Sequence, residues 1–114
     1  MARWTQNREE ARHLLKLQKE LRRALANSPY NIIKVVRNDN CCLEGCLSGE
    51  EAGNNAHIAM PPTSFYAEVT LQFLNGYTIT IDLLDVQTIS NVTNREKFQE
   101  YYHAGIIQPI ASSS

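Results

Sequence analysis

The chain lacks any apolar run approaching the roughly 18 to 20 residues that a bilayer span requires. Its opening residues, ARWTQNREEARH, carry acids and amides where an apolar signal core would stand. A cytoplasmic or nuclear protein with no membrane contact is therefore expected. Cysteine is scarce and crowded, since the three thiols, Cys41, Cys42 and Cys46, fall within one expected strand. An odd, clustered set argues against an internal disulfide framework. A zinc site would draw four ligands from separated loops, so the thiols are read as small buried hydrophobes. No Gly-rich phosphate loop precedes a helix. His13, His57 and His103 are scattered, and Ser48, Ser64 and the cysteines have no evident base partner. Asp82 and Asp85, three apart on an expected strand, would face opposite sides. The expectation is a protein that is not an enzyme, with no cofactor and no metal.

At 114 residues, 43% of them hydrophobic, the chain can build one ordinary core. Its net charge of −1 conceals a segregation: nine of the 11 basic residues precede Asn38, where only three acids stand. The remainder holds two bases, Arg95 and Lys97, against nine acids. A basic opening third of this kind suits docking on an acidic surface, its own or a neighbour's, or contact with phosphate.

Residues 7–27 predict one helix. Asn7 and Glu10 form a candidate capping box. Ala11, Leu14, Leu15, Leu17, Leu21 and Leu25 gather on one side, and Asn27-Ser28-Pro29 ends the helix. Tyr30, Ile32, Ile33, Val35 and Val36 then read as a strand, with a turn at residues 37–40. A second strand follows from Cys41, with Gly45 where a bend is needed. Residues 50–54, EEAGN, read as a turn from which Asn55 enters a third strand, interrupted by Pro61-Pro62 and resuming at residues 65–74. Asn75-Gly76 is a strong hairpin signal. Residues 78–84 and 88–92 complete five strands. Asn94 caps a short helix to His103, and the tail IIQPIASSS is expected to be loosely held.

Residues 39–58, DNCCLEGCLSGEEAGNNAHI, carry a polar turn, Gly45 in a curved strand, Leu47 two later, Glu51 and then Asn55. This order resembles the first signature of the Sm and Sm-like family, and residues 69–92 stand where its second signature falls. The basic, Leu-rich helix NREEARHLLKLQKELRRAL and the segment IDLLDVQTISNV resemble, more narrowly, the Sm-like Gemin subunits of the survival-of-motor-neuron assembly complex. The resemblance implies a mainly β protein: an N-terminal helix over residues 1–28, a five-stranded, strongly bent Sm-like barrel over 29–93, and a short helix with a tail over 94–114. It implies a non-catalytic protein-interaction subunit of small nuclear ribonucleoprotein assembly, joined to another Sm-fold protein by edge-strand pairing through Leu83, Val86, Thr88, Ile89 and Val92. Asn55 matches the position that reads a uridine edge in RNA-binding Sm rings. The stacking position falls on Gly53, however, and no Arg stands in the segment Asp85-Val86-Gln87-Thr88, so specific uridine binding is not expected. RNA contact would be weak and non-specific, through the basic helix. An RNA-binding Sm-like ring subunit is the alternative. The run LLKLQKELRRAL followed by strands is also similar to ubiquitin-conjugating-enzyme and RWD folds, whose open sheet serves as an adaptor, although the Tyr-Pro turn typical there is missing.

Overall fold

Asn7 starts the first helix because its side-chain oxygen accepts from the main-chain N–H groups of Glu9 (2.8 Å) and Glu10 (3.2 Å), two donors that a helix start leaves without partners. The returning half of the expected capping box is relayed. Glu10 accepts from the Thr5 hydroxyl at 2.7 Å, and that same oxygen accepts from Asn7 N at 3.1 Å. The computed structural model describes residues 2–26 and 32–107. Asn27-Ser28-Pro29, Tyr30 and the tail from Gln108 lie outside the described residues. Helix α1 spans Arg8–Leu25 and buries Leu14, Leu17 and Leu21. Leu15, expected on the same side, is half exposed: at 100° per residue it lies about 100° away from Leu14 and further from Leu17.

Strand β1 (Ile32–Arg37) and strand β2 (Cys42–Asn54) are antiparallel, joined by a turn in which Asn40 takes a φ of 67°, a left-handed conformation that Asn tolerates. The turn expected at EEAGN does not form. β2 continues through it, paired residue for residue with β3 (Phe65–Gln72) as far as Asn54↔Phe65. Ladder pairing overrides the turn-like composition. Asn55 accordingly opens a loop over residues 55–64, which holds Pro61-Pro62, and does not enter a strand. β2 passes from β1 to β3 at Cys46, and its register slips at Ser48, a bulge that bends the strand.

Strand β4 (Thr78–Asp82) follows the Asn75-Gly76 turn, where Gly76 has a φ of 88°. It is shorter than expected, because the Asp82 side chain accepts from Leu84 N at 3.0 Å and starts a 3-10 turn, Leu83–Asp85. Strand β5 is Val86–Asn91, and helix α2 is Arg95–His103, capped as expected by Asn94, which accepts from Lys97 N at 2.8 Å. The five strands form one antiparallel sheet in the order β4-β3-β2-β1-β5. It does not close into a barrel: β4 and β5 are its two open edges. Among the described residues no helix is long and apolar enough to cross a membrane.

The main core lies between α1 and one sheet face. Ala67, Val69 and Leu71 of β3 alternate onto it, as the two-residue period of a strand requires. Val86 and Ile89 of β5 both reach it although they are three apart. Between them the pairing jumps from Val36↔Thr88 to Arg37↔Val86, leaving Gln87 unpaired as a bulge. On the opposite face Ile32 packs with Tyr101 of α2 and with Ile107, so the part of the tail that is described is docked.

Candidate interaction surfaces

The two open edges present main-chain groups. Phe73 N donates to Tyr77 O at 2.8 Å, which fixes the alternation along the β3–β4 ladder. Thr78 and Thr80 fall at the non-hydrogen-bonded positions, so their N–H and C=O groups face away from β3. Both side chains are exposed. On the other edge Val92 N donates to Ile32 O at 2.9 Å. By the same alternation Ile89 and Asn91 turn their main-chain groups outward.

The side chains expected at the partner interface are mostly elsewhere. Leu83 (1% exposed), Val86 (0%) and Ile89 (6%) belong to the core, because the bulge at Gln87 and the 3-10 turn rotate them inward. Val92 lies beyond β5, half-buried against the second apolar cluster. Thr88 alone of the five is exposed. Helix α1 lies along β5, where its His13 Nε2 meets Val86 O and Asn91 Nδ2 donates to Ala24 O at 2.8 Å.

Asn55 does not present a free amide. Its Oδ1 accepts from Thr63 N (2.8 Å) and Ser64 N (2.9 Å), while its Nδ2 donates to the Thr63 hydroxyl (2.9 Å). Its main-chain carbonyl also accepts from Ile58 N and Ala59 N. Asn55 is thus the clamp that closes the 55–64 loop. Gly53, expected to be a bare stacking position, lies against the Tyr66 ring, whose Cε1 is 2.6 Å from where a Gly53 Cβ would stand.

The segment before α1 forms a surface that sequence reasoning missed. Thr5 and Phe65 exchange main-chain hydrogen bonds of 2.8 and 2.9 Å, so this segment lines the same flank of β3 that β4 lines further along. Ala2 N donates to Glu68 at 3.0 Å. Arg3 reaches Asp82 at 3.0 Å and Asp85 at 2.7 Å. The two aspartates therefore share one guanidinium, contrary to the expectation of opposite faces. The strand ends at Asp82, and in the intervening 3-10 turn residues three apart eclipse. Burial alone would raise the Asp82 pKa, but hydrogen bonds from Arg3 N, Leu84 N and the Arg3 guanidinium outweigh it and hold the carboxyl below its ordinary range. In register, Glu51↔Glu68↔Asp82 form a row of three carboxylates across β2, β3 and β4, an arrangement that repels itself without cations.

The basic residues of α1 gather on one side. Arg8, Arg12, Lys16, Lys19 and Arg23 fall within an arc of about 80° opposite the buried leucines, and all are exposed. None of them has an ion-pair partner among the described residues. Arg3, by contrast, docks on the acidic sheet.

The thiols are free, and two differ from expectation: Cys41 and Cys42 are exposed at the start of β2, beside the turn, while Cys46 is half-buried. The Asp39 carboxylate raises the Cys41 pKa and burial raises that of Cys46, which holds both as thiols, the less nucleophilic form. Among the described residues no three His, Cys, Asp or Glu side chains are placed to hold a metal ion. No family model, curated protein or solved structure matches the chain.

Proposed function

We propose that the chain is a non-catalytic, Sm-like protein-interaction subunit of a ribonucleoprotein assembly complex, which joins another Sm-fold protein through its sheet edges. The carrying observation is the order β4-β3-β2-β1-β5, which leaves β4 and β5, neighbours in sequence, as opposite open edges. Sm-type proteins pair through these two strands. An unpaired edge carries a row of main-chain donors and acceptors that favours pairing with another strand, and the outward groups of Thr78 and Thr80 supply one. The interface is main-chain pairing, since Leu83, Val86 and Ile89 are committed to the core.

Contact with RNA is confined to the exposed cations of α1. The clamp role of Asn55 leaves its amide engaged, and Gly53, beside Tyr66, has no side chain of its own to stack.

Co-expression with candidate Sm-fold chains, followed by native mass measurement, tests the reading. Thr80→Pro removes one outward donor and no main-chain bond of the β3–β4 ladder, and it gives up the exposed Thr70–Thr80 hydroxyl bond of 2.9 Å. The variant is expected to stay folded and to lose the hetero-oligomer. A Thr80→Pro chain and a β5-edge variant, Ile89→Pro, that both assemble with unchanged affinity would sink the proposal.

A further inference from the structure

Of the three carboxylates in the cross-strand row, Asp82 is neutralised by Arg3, whereas among the described residues Glu51 and Glu68 have no ion-pair partner. Among the described residues each accepts a single hydrogen bond, Glu51 from the Tyr66 hydroxyl at 3.2 Å and Glu68 from Ala2 N at 3.0 Å. Each therefore keeps one carboxylate oxygen without a partner among the described residues. Beside them the rings of Trp4 and Tyr66 meet with centroids 4.7 Å apart and planes inclined at 53°. Trp4 is 54% exposed, unusual for the largest apolar side chain. These four side chains and Ala2 line a cavity of about 320 Å³. The Tyr66 hydroxyl pKa is raised, by burial first and then by Glu51 and Glu68, in keeping with a negative potential there.

A cavity lined by two aromatic rings and by two carboxylates that have no ion-pair partner among the described residues favours a cation that is also flat. Aromatic faces attract cations through their quadrupole. A guanidinium in addition stacks on a ring and bonds a carboxylate edge-on, where an ammonium acts as a hydrated point charge. The next position of the same row already shows this chemistry, since the Arg3 guanidinium bridges Asp82 and Asp85. We propose that the cavity between Trp4, Tyr66, Glu51 and Glu68 is a receptor for an arginine side chain presented by a partner polypeptide.

Distant parts of the chain build this cavity. Gly53 leaves the space that the Tyr66 ring occupies against β2. The Thr5–Phe65 bridge and the Arg3 ion pairs hold Trp4 against that ring. The inference stands apart from edge pairing, which is read by oligomer mass and not by this site.

The experiment is an NMR titration of the full chain with the capped tripeptide acetyl-Gly-Arg-Gly-amide, with the lysine and citrulline analogues as further arms. The arginine peptide is expected to give saturable shifts of the Trp4 indole N–H and of the amides of Glu51, Tyr66 and Glu68. The lysine peptide should bind several-fold more weakly, and the uncharged citrulline peptide should leave these signals in place. Trp4→Ala and Glu51→Gln should each weaken arginine binding about fivefold or more. Both positions are exposed, so both variants are expected to fold, and Glu51→Gln keeps an acceptor for the Tyr66 hydroxyl. Absence of saturable shifts with the arginine peptide overturns the proposal, as does equal binding of citrulline, or wild-type affinity in both variants.

Discussion

Gly53 lies so close to Tyr66 that a Cβ at this position would stand 2.6 Å from Tyr66 Cε1. Gly53→Ala therefore displaces the ring, which breaks its contact with Trp4 and its bond to Glu51. Because the obstacle is the end of a side chain that can swing outward, the loss of stability should be modest, about 1 kcal/mol, the low end for overpacking. Tryptophan fluorescence should shift to the red as Trp4, the one tryptophan, loses its neighbour. An unchanged emission spectrum would show that the ring does not depend on the glycine.

Gly45 presents the opposite case. A Cβ there would meet the main-chain oxygen of Gln72 and the Cβ of Leu71, both at 3.0 Å, and neither can swing away. Gly45→Val should cost about 1–3 kcal/mol and lower the melting temperature by at least roughly 4 °C. Gly49, with nothing within 4 Å of its Cβ position, is the control: Gly49→Ala should be neutral or slightly stabilising. Thermal melts of the pair separate close approach from a general sensitivity of β2.

What could be read in the sequence followed from local chemistry. Asn7 and Asn94 announced their helices because a cap acts within three residues, and Asn75-Gly76 announced its turn because a positive φ is demanded at one position. The five strands and both helices were legible on these grounds. The length of β2 was not, since residues 50–54, with Gly53 and Asn54 among them, read as a turn until β3 lies alongside. Which side chains of the edge face inward was illegible for a related reason: a single bulge at Gln87 changes which residues of β5 reach the core, and no composition signals a bulge. Least legible was the segment before α1. Arg3 meets Asp82 across 79 positions of sequence, and nothing near Arg3 or Trp4 indicates where either one docks.

Asn55→Ala removes three side-chain hydrogen bonds that close the 55–64 loop. Leaving the N–H groups of Thr63 and Ser64 unpaired should cost about 1–2 kcal/mol, moderated by solvent access. The local signature is faster amide exchange at Thr63 and Ser64 while the core strands keep their protection. Unchanged exchange at both amides would remove Asn55 from the role of clamp.

Asp82 makes stability depend on acid. Its folded pKa is depressed, so its contribution is fully present above the ordinary aspartate value of about 3.9. It is lost as pH falls through the lower, folded value. Asp82→Asn retains an acceptor for Leu84 N but loses the ion pair with Arg3. The variant should melt below wild type at pH 7, and the gap should narrow as pH falls below about 4. A gap independent of pH would assign the effect to packing and not to the charge.

The cations of α1 should bind RNA without regard to sequence. Five of them project from one side of the helix, and the acidic row lies elsewhere, across β2, β3 and β4. Each phosphate neutralised on a single strand steepens the dependence of log affinity on log salt by about 0.7, so full engagement of the stripe corresponds to a slope near −3.5. Arg12→Gln with Lys16→Gln should flatten that slope by about 1.4. Both substitutions lie on the exposed side, so melting should not change. Oligo-uridine and oligo-adenine should bind alike, because base-specific recognition needs stacking, worth about 1–3 kcal/mol per base, and Gly53 and the clamped Asn55 supply none. Fluorescence anisotropy across a salt series measures both quantities. A salt-resistant preference for uridine would return Asn55 to a reading role and favour the ring-subunit alternative over the assembly subunit.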